Sequence, residues 1–362
     1  MFENISERLQ GAIHKIKGYG KITEDNISDI LRDVRIALLE ADVNYKVVKG
    51  FINNVKEKAL GVTVSTSLKP SEMFLKILKD ELIELLGTEP VKLVNNSFNI
   101  PKIKEALSDE KIKVVEIQRS KGYSFRKSIS VKEIEKVITE IRKIRKDVIV
   151  MVDNCYCELV EEKSPLEVGA DIIVGSLIKN LGAGVVPNGG YIAGRSDLVK
   201  LAGERLTLPG EGKDVGATLD MNRCFLQGIY LAPAAVNNSI KTAILASKML
   251  DKLGYQVEPS YNANRVDIVQ AIKFNDPEKM IKYCRGIQMA SPIDAYVTPI
   301  PDDMPGYDDK IIMAAGCFVQ GSTIELSCDG PLREPYIAYQ QGGLTYEYGK
   351  LGVMKAITEI LK

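Results

Sequence analysis

Apolar residues recur every three to four positions through the first 90 residues, and this spacing predicts four helices. Phe2 begins the first apolar stripe, Thr23 and Asn44 are candidate N-caps of the second and third helices, and Pro70 suits the first turn of the fourth. The connections between the stripes are short, as they are between helices that run side by side in opposite directions. The pattern therefore predicts an antiparallel four-helix bundle over residues 1–93.

Beyond about residue 95, short apolar runs alternate with helical stretches. The runs predict strands at residues 112–117, 147–152, 171–174 and 190–194, with a helix over 131–144 between the first two. This alternation is typical of an α/β fold with a mainly parallel sheet, whose sites lie at the carboxyl ends of the strands. A long helical stretch from about Ala232 leads into a smaller α+β region that ends in a helix over 348–361. The predicted domains are therefore 1–93, 98–231 and 232–362.

The 362-residue chain carries 48 Lys and Arg residues against 48 Asp and Glu residues, so its formal net charge is zero. Proteins that bind nucleic acids or membrane surfaces usually carry a basic excess, so neither class of partner is expected. The sequence has no apolar run of about eighteen residues and no signal-peptide pattern. Its six cysteines form no CxxC pair and are typical of reduced thiols. These features predict a cytoplasmic protein without a membrane span.

A single histidine, His14, limits the chemistry that this chain can perform. A Ser-His-Asp triad or a histidine-ligated zinc would have to use this residue. His14 lies in a predicted helix, however, and we expect it to be a surface residue. Cys155 and Cys157 have no further ligands nearby in the sequence, so no metal site is predicted. Any catalysis has to use Lys, Asp, Tyr, Ser or a bound cofactor.

Polar residues follow two neighbouring predicted strands. Asp153 ends the second strand, and Lys179 comes 26 residues later, beyond the third. Pyridoxal phosphate needs such a pair, because a lysine bonds to its aldehyde and a carboxylate keeps its pyridine nitrogen protonated. Ser176, three residues before the lysine, could donate a hydrogen bond to the phosphate. On spacing alone, a surface lysine and a strand-capping aspartate explain the pattern equally well.

The first part of the chain also carries two specific motifs. Residues 36–48 read IALLEADVNYKVV and residues 1–9 read MFENISERL. Both are similar to the N domain of the signal-recognition-particle GTPase, and the resemblance covers about residues 1–93. It implies a helical module that docks on protein partners. GTP binding is not expected, because neither GYGKI at 18–22 nor GEGKD at 210–214 matches the phosphate-loop pattern G-x-x-x-x-G-K-[ST].

A second set of motifs follows residue 98. They are IQRSKGYS at 117–124, VDNCY at 152–156, the glycine-rich stretch 175–194, MPGY at 304–307, FVQG at 318–321 and DGPLR at 329–333. Together they resemble the C-terminal two-thirds of the aluminium-resistance protein family, which is related to methionine γ-lyase and the cystathionine lyases. The resemblance implies fold type I of the pyridoxal-phosphate-dependent transferases, with a large domain and a small α+β C-terminal domain.

This second resemblance implies roles for individual residues. Lys179 would form the Schiff base with pyridoxal 5′-phosphate, Asp153 would hold the pyridinium nitrogen, and Ser176 would contact the phosphate. The related lyases often place Thr directly before the lysine, where this chain has Ile178.

Two arginines are further candidates. Arg119 follows a predicted strand and is expected to reach the cofactor, with a surface salt bridge as the alternative. Arg333 follows a Gly-Pro turn and is the candidate for the substrate carboxylate, because a guanidinium offers a bidentate fork. Tyr123, Tyr156 and Tyr191 could stack or donate, but packing is the default interpretation for each.

Whole members of the lyase-like family carry a further segment before the matched part. The resemblance implies that this segment holds the first strands of the large domain, the phosphate loop and an aromatic residue that stacks on the cofactor. Here the signal-recognition-type module stands in its place, so we expect a truncated large domain and impaired activity. Three hypotheses follow. The first is an impaired, homo-oligomeric, pyridoxal-phosphate-dependent carbon–sulfur lyase that acts on a small amino acid. The second is a non-catalytic chimera whose N domain is a targeting or binding module without GTPase activity, and the third is a fusion of two parts that have no evolved common function.

Overall fold

The computed structural model describes residues 24–40, 43, 45–60, 73–74, 76–78, 80–82, 90–206, 212–213, 219–304, 307–315 and 323–362. The chain divides into two compact units, Met1–Val91 and Lys92–Lys362. The division lies close to the predicted junction after residue 93.

The N-terminal unit is helical wherever its elements are described. Helix α1 spans Glu24–Glu40, helix α2 spans Tyr45–Leu60, and further helical residues lie between 73 and 82. Their apolar stripes meet in a core that includes Val34, Val48 and Phe74, because residues three and four positions apart share one helix face. The predicted first helix lies outside the described residues, so the four-helix bundle stays a prediction.

The first sheet of the second unit has four strands in the order β1-β2-β3-β4: Val114–Gln118, Ile149–Asp153, Ile172–Ser176 and Gly190–Gly194. The first three are parallel, and β4 is antiparallel to β3. Helix α3 (Ile100–Ala106) precedes the sheet, and α4 (Val131–Ile144) connects β1 to β2. Ser130 and Glu133 form a capping box that fixes the start of α4. The mixed sheet with its helices confirms the predicted α/β class.

The second sheet has five antiparallel strands in the order β5-β6-β9-β8-β7. They are Gln256–Glu258, Gln270–Lys273, Ile337–Gln341, Ser327–Pro331 and Ile311–Ala315, in that order across the sheet. The helices of this region are α5 (Ser196–Gly203), α6 (Asn222–Lys252), α7 (Pro277–Met289) and α8 (Tyr346–Leu361). One face of the sheet joins α6, α7 and α8 in the largest hydrophobic core.

Helix α6 begins at Asn222, ten residues before the predicted start at Ala232. The predicted boundary between domains 98–231 and 232–362 therefore falls inside a continuous helix. Gly228 of this helix lies against Gly182 of the segment that follows β3, where a Cβ atom on Gly228 would be 2.8 Å from the Gly182 carbonyl oxygen. The long helix thus supports both sheets.

Gly182 follows Lys179 in a short 3-10 turn, Asn180–Gly182. A Cβ atom at Gly182 would lie 1.6 Å from the carbonyl oxygen of Leu177, so only glycine fits here without moving the backbone. We expect Gly182→Ala to lower the free energy of unfolding by about 1–3 kcal/mol, because overpacking forces such shifts. Urea denaturation followed by circular dichroism measures this change. Gly203→Ala is the matched control, since a Cβ there would meet nothing within 4 Å; equal effects of the two substitutions would contradict the prediction.

Candidate active site

Asp153 and Lys179 line one cavity of about 210 Å³ in the second unit. Asp153 is the last residue of β2, and Lys179 follows the end of β3 by three residues. The register pairs Asp153 with Val174 of β3, so both strands end at the same edge of the sheet. The sequence prediction that these two side chains share one crevice agrees with this placement.

The amine of Lys179 lies 4.2 Å from the centre of the Tyr156 ring and shares the cavity with the Cys155 thiol. Burial alone would lower the pKa of Lys179, but Tyr156, Cys155 and Asp153 together raise it above its ordinary value. Burial also raises the pKa of the Cys155 thiol to about 11. At neutral pH the lysine is therefore an ammonium beside a neutral thiol, and it must lose a proton before it can act as a nucleophile.

The loop after β2 holds these groups in place. Asp153 Oδ1 accepts a hydrogen bond from the backbone N–H of Cys155 at 3.0 Å. Tyr156 has φ of 68°, in the left-handed region that residues other than glycine rarely adopt. Such strained positions persist only where surrounding contacts fix them, and they are common at binding sites.

The opposite wall of the cavity comes from the second sheet. Asp329 of β8 and Tyr339 of β9 line it, and Tyr123, from the loop after β1, has its ring centre 5.4 Å from that of Tyr339. Burial raises the pKa of Asp329 to about 7, although hydrogen bonds from Tyr123 and Gln341 and the charge of Lys179 oppose the change. The cavity therefore contains a carboxyl group that titrates near neutral pH.

Arg119 lies beside this cavity but does not line it. Its side chain is 1% exposed, with Nε donating to the Ile129 carbonyl at 3.0 Å and Nη1 donating to Asn154 Oδ1 at 2.7 Å. Its Nη2 forms a salt bridge with Glu161. These contacts tie the loops after β1 and β2 together, and the salt bridge that they include joins a buried arginine to a half-buried glutamate. A direct contact of Arg119 with a cofactor stays a prediction.

Ser176 and Arg333 also lie outside the lining of the cavity. The hydroxyl of Ser176 accepts a hydrogen bond from the backbone N–H of Ile178 at 3.2 Å, which shapes the turn that leads to Lys179. Arg333 pairs with Asp309 at 3.0 Å and donates to the Tyr123 carbonyl at 3.4 Å, at the rim of the cavity. Phosphate contact by Ser176 and carboxylate binding by Arg333 stay predictions.

Sequence reasoning missed the second-sheet wall. The DGPLR motif contains Asp329, but the motif gave it no role, and Tyr339 was not singled out. Of the three tyrosines considered, Tyr123 and Tyr156 line the cavity, whereas Tyr191 donates to Glu158 at 2.9 Å on the far side of β3. Only the pairing of distant strands brings these groups together.

The cavity fits one end of pyridoxal phosphate better than the other. Two lysines, two aspartates and four tyrosines line the same space, and they include the amine and the carboxylate that the aldehyde and the pyridine nitrogen require. The described lining offers no comparable cradle for a phosphate, since the Lys121 amine is already 3.5 Å from Asp267 and donates to the Val269 carbonyl at 3.2 Å. The residues present thus suit the reactive end of the cofactor.

Two other features concern the described part of the chain. There, no cluster of three or more His, Cys, Asp or Glu side chains could hold a metal ion. Within the same residues, no helix has the length and apolar character needed to cross a bilayer. The five cysteines in this part are free thiols, and three of them are buried.

The N-terminal part has relatives of its own. The signal recognition particle protein of Escherichia coli strain K12 is 52% identical to this chain over 89 residues, which are 25% of this chain and 20% of that protein. This similarity confirms the resemblance to the signal-recognition-particle protein that was found in residues 1–93.

The remaining comparisons concern the larger part. The uncharacterised protein YnbB of Bacillus subtilis strain 168 is 48% identical over 257 residues, which are 71% of this chain and 61% of the length of YnbB. A crystal structure of a candidate cystathionine beta-lyase involved in aluminium resistance, from Listeria monocytogenes, is 36% identical with a TM-score of 0.73. Its alignment covers 99% of this chain and 94% of that one. The family model described as methionine gamma-lyase matches residues 11–361. The chain therefore belongs to the methionine gamma-lyase family.

Proposed function

We propose that this protein derives from a pyridoxal-phosphate-dependent carbon–sulfur lyase acting on a small amino acid, and that its activity is impaired. The observation that supports this proposal is the shared cavity of Lys179 and Asp153 at the ends of adjacent parallel strands. Membership of the methionine gamma-lyase family supports the reaction class. The proposal also includes binding of the cofactor, a small amino acid as the substrate, a homo-oligomeric state and a cytoplasmic location.

Each residue of the pair would have a separate task. When bound, the cofactor supplies an electron sink for the negative charge that develops on the substrate carbon. Lys179 would hold the cofactor through its amine, and the Asp153 carboxylate would keep the ring nitrogen protonated. Tyr156, whose ring lies 4.2 Å from the lysine amine, would fix the position of that amine and shield it from water.

The proposed impairment concerns the phosphate end. The Lys121 amine is engaged by Asp267 and the Val269 carbonyl, and the Ser176 hydroxyl is engaged by the Ile178 N–H. The charge of Lys121 is thus already matched by Asp267, and Ser176, which keeps its O–H to donate, lies outside the lining of the cavity. We therefore expect weak retention of the cofactor, with the covalent bond to Lys179 as its main attachment.

Reductive trapping tests the proposed attachment. Incubation of the purified chain with pyridoxal phosphate, followed by borohydride, should place one pyridoxyl group on the peptide that contains Lys179. Peptide mass spectrometry locates the modified residue. Labelling spread over exposed lysines, with none at Lys179, would defeat the lyase proposal.

Asp153→Asn tests the second residue of the pair. The substitution removes the negative charge from the end of β2 but keeps a side chain that can accept a hydrogen bond from the Cys155 N–H. We expect the affinity for pyridoxal phosphate to fall about tenfold, since a charge-assisted hydrogen bond would be lost. Equilibrium dialysis measures the change, and unchanged affinity would mean that Asp153 does not hold the ring nitrogen.

A second candidate function concerns the N-terminal unit. Its similarity to the signal recognition particle protein supports a targeting or binding module that docks on protein partners without GTPase activity. A fluorescent GTP analogue should bind to the signal recognition particle protein used as a positive control and not to this chain. Saturable GTP binding by this chain would contradict the second candidate.

A further inference from the structure

The second sheet turns two chemically different faces toward its surroundings. Side chains alternate along a strand, and residues directly opposite on neighbouring strands point to the same face. Cys328 and Ala338 belong to the face buried in the large hydrophobic core. Asp329 pairs in register with Tyr339, and both line the cavity. The sheet therefore presents a carboxylate to the cavity from the side opposite the strand that ends at Asp153.

The two cations of the cavity are already occupied. The Lys121 amine lies 3.5 Å from Asp267 and donates to the Val269 carbonyl. The Lys179 amine lies over the Tyr156 ring, and the proposed function assigns it to the cofactor. Neither cation has Asp329 as its salt-bridge partner in the described part of the chain.

Asp329 instead shares the cavity wall with neutral polar groups, the Tyr123 and Tyr339 hydroxyls and the Gln341 amide. When this carboxylate ionises, the Lys179 ammonium acts on it through space but forms no salt bridge with it, and a partly buried negative charge in such a position attracts a cation from a ligand. The free amino acid that the proposed function requires carries one cation of the right size, its ammonium group.

We propose that Asp329 binds the ammonium group of the incoming amino acid and then accepts one of its protons. In this step an N–H bond breaks, an O–H bond forms on the Asp329 carboxylate, and the nitrogen keeps the electron pair. The resulting neutral amine is the form that can attack a carbon atom at the Lys179 end of the cavity. This inference rests on the proposed function for the identity of the ligand as an amino acid.

The pH dependence has a definite sign. Asp329, with its pKa raised by burial to about 7, is ionised above neutral pH and protonated below it. Lys179 also faces it, with a pKa above its ordinary value and hence a constant charge from pH 6 to pH 8. Five neutral groups around Asp329 have pKa values raised by burial, so they stay neutral over this range: Tyr123, Tyr156, Tyr339, Cys328 and Cys155. Lys121, Asp153 and Tyr307 also line the cavity, and Lys121 is paired with Asp267. Ammonium binding should therefore strengthen as the pH rises from 6 to 8.

Calorimetric binding of L-methionine to the full chain, without added cofactor, tests the inference. Desamino-methionine, which keeps the carboxylate and the thioether but lacks the ammonium, is the matched ligand. Asp329→Asn should weaken methionine binding at pH 8 about tenfold or more, because it removes the charge and keeps the shape. It should leave the binding of the desamino compound unchanged and abolish the rise in methionine affinity between pH 6 and pH 8.

Three controls make the result specific. Asp251→Asn removes an exposed carboxylate on α6 and should change nothing. Glu158→Gln removes the other nearby carboxyl group whose pKa burial raises to about 7, and the pH profile should survive it. Asp329→Glu should retain part of the affinity. The pH profile of the unmodified chain, compared with that of Glu158→Gln, needs no Asp329 variant, so this pair of measurements decides the question even if an Asp329 variant misfolds.

Two outcomes would overturn the inference. One is that a folded Asp329→Asn variant binds methionine as tightly as the unmodified chain does. The other is that the unmodified chain binds methionine no more tightly than its desamino analogue. Failure of the proposed function has a different signature. Ammonium-dependent binding without trapping of pyridoxal phosphate on Lys179 would defeat the lyase proposal and keep the ammonium site. Trapping of pyridoxal phosphate on Lys179 with no ammonium preference would overturn the ammonium site and keep the lyase proposal.

Discussion

Lys179→Ala should reduce covalent attachment of pyridoxal phosphate to the background level of exposed lysines. Loss should be complete, because no second amine in the described lining of the cavity is available: the Lys121 amine is held by Asp267 and the Val269 carbonyl. Borohydride trapping followed by intact mass measurement records the change as the disappearance of one pyridoxyl group. Lys200→Ala, which removes an exposed lysine on α5, is the matched control and should leave the attachment intact.

The variant should remain folded, since the Lys179 side chain is only partly buried and contributes no hydrophobic core. Circular dichroism before labelling establishes this point. Undiminished labelling in a folded Lys179→Ala protein would mean that the cavity does not direct the cofactor to this residue.

Arg119→Met should lower the free energy of unfolding of the second unit by about 1–3 kcal/mol, as expected when buried hydrogen-bond acceptors lose their donor. The substitution leaves Asn154, Glu161 and the Ile129 carbonyl without the guanidinium that now satisfies them. Urea denaturation of the full chain, followed by far-ultraviolet circular dichroism, measures the loss as a lower midpoint.

Arg195→Met supplies the comparison. Arg195 is 49% exposed and pairs with Asp197, which is 58% exposed, and with Asp171, which keeps Arg142 as a second partner; its removal should therefore change stability less than that of Arg119. The comparison also decides between the two interpretations of Arg119. Normal stability of Arg119→Met together with loss of pyridoxal phosphate binding would favour the cofactor contact that the sequence predicts over the buried structural role.

Local patterns of the second unit were predictable from the sequence to within a few residues. The helix Val131–Ile144 agrees with its prediction because a serine cap precedes a strict apolar stripe. Strands β1 to β3 lie within two residues of the predicted runs, since each is a short β-branched stretch. Helix α6 begins earlier than predicted because its first turns expose large apolar residues, such as Leu226 and Tyr230, which weaken the amphipathic signal.

The candidate site was predictable only on the side built from consecutive elements. Asp153 and Lys179 follow neighbouring parallel strands, so their proximity follows from the α/β pattern. Asp329 reaches the cavity through its pairing with Tyr339 and through the placement of one sheet against another. Such contacts join residues far apart in the sequence, and no local pattern specifies their register. Similarly, composition does not reveal that Arg119 is fully buried.

The central claim is that the Lys179 cavity assembles in this chain and accepts pyridoxal phosphate. The most direct test is the visible absorption of the purified chain after addition of pyridoxal phosphate and exhaustive dialysis, recorded beside Lys179→Ala. A retained visible band in the unmodified chain, absent from the variant, is the predicted result. No retained band, or a band that both proteins share, would contradict the claim and leave the pair Asp153 and Lys179 as an inherited remnant.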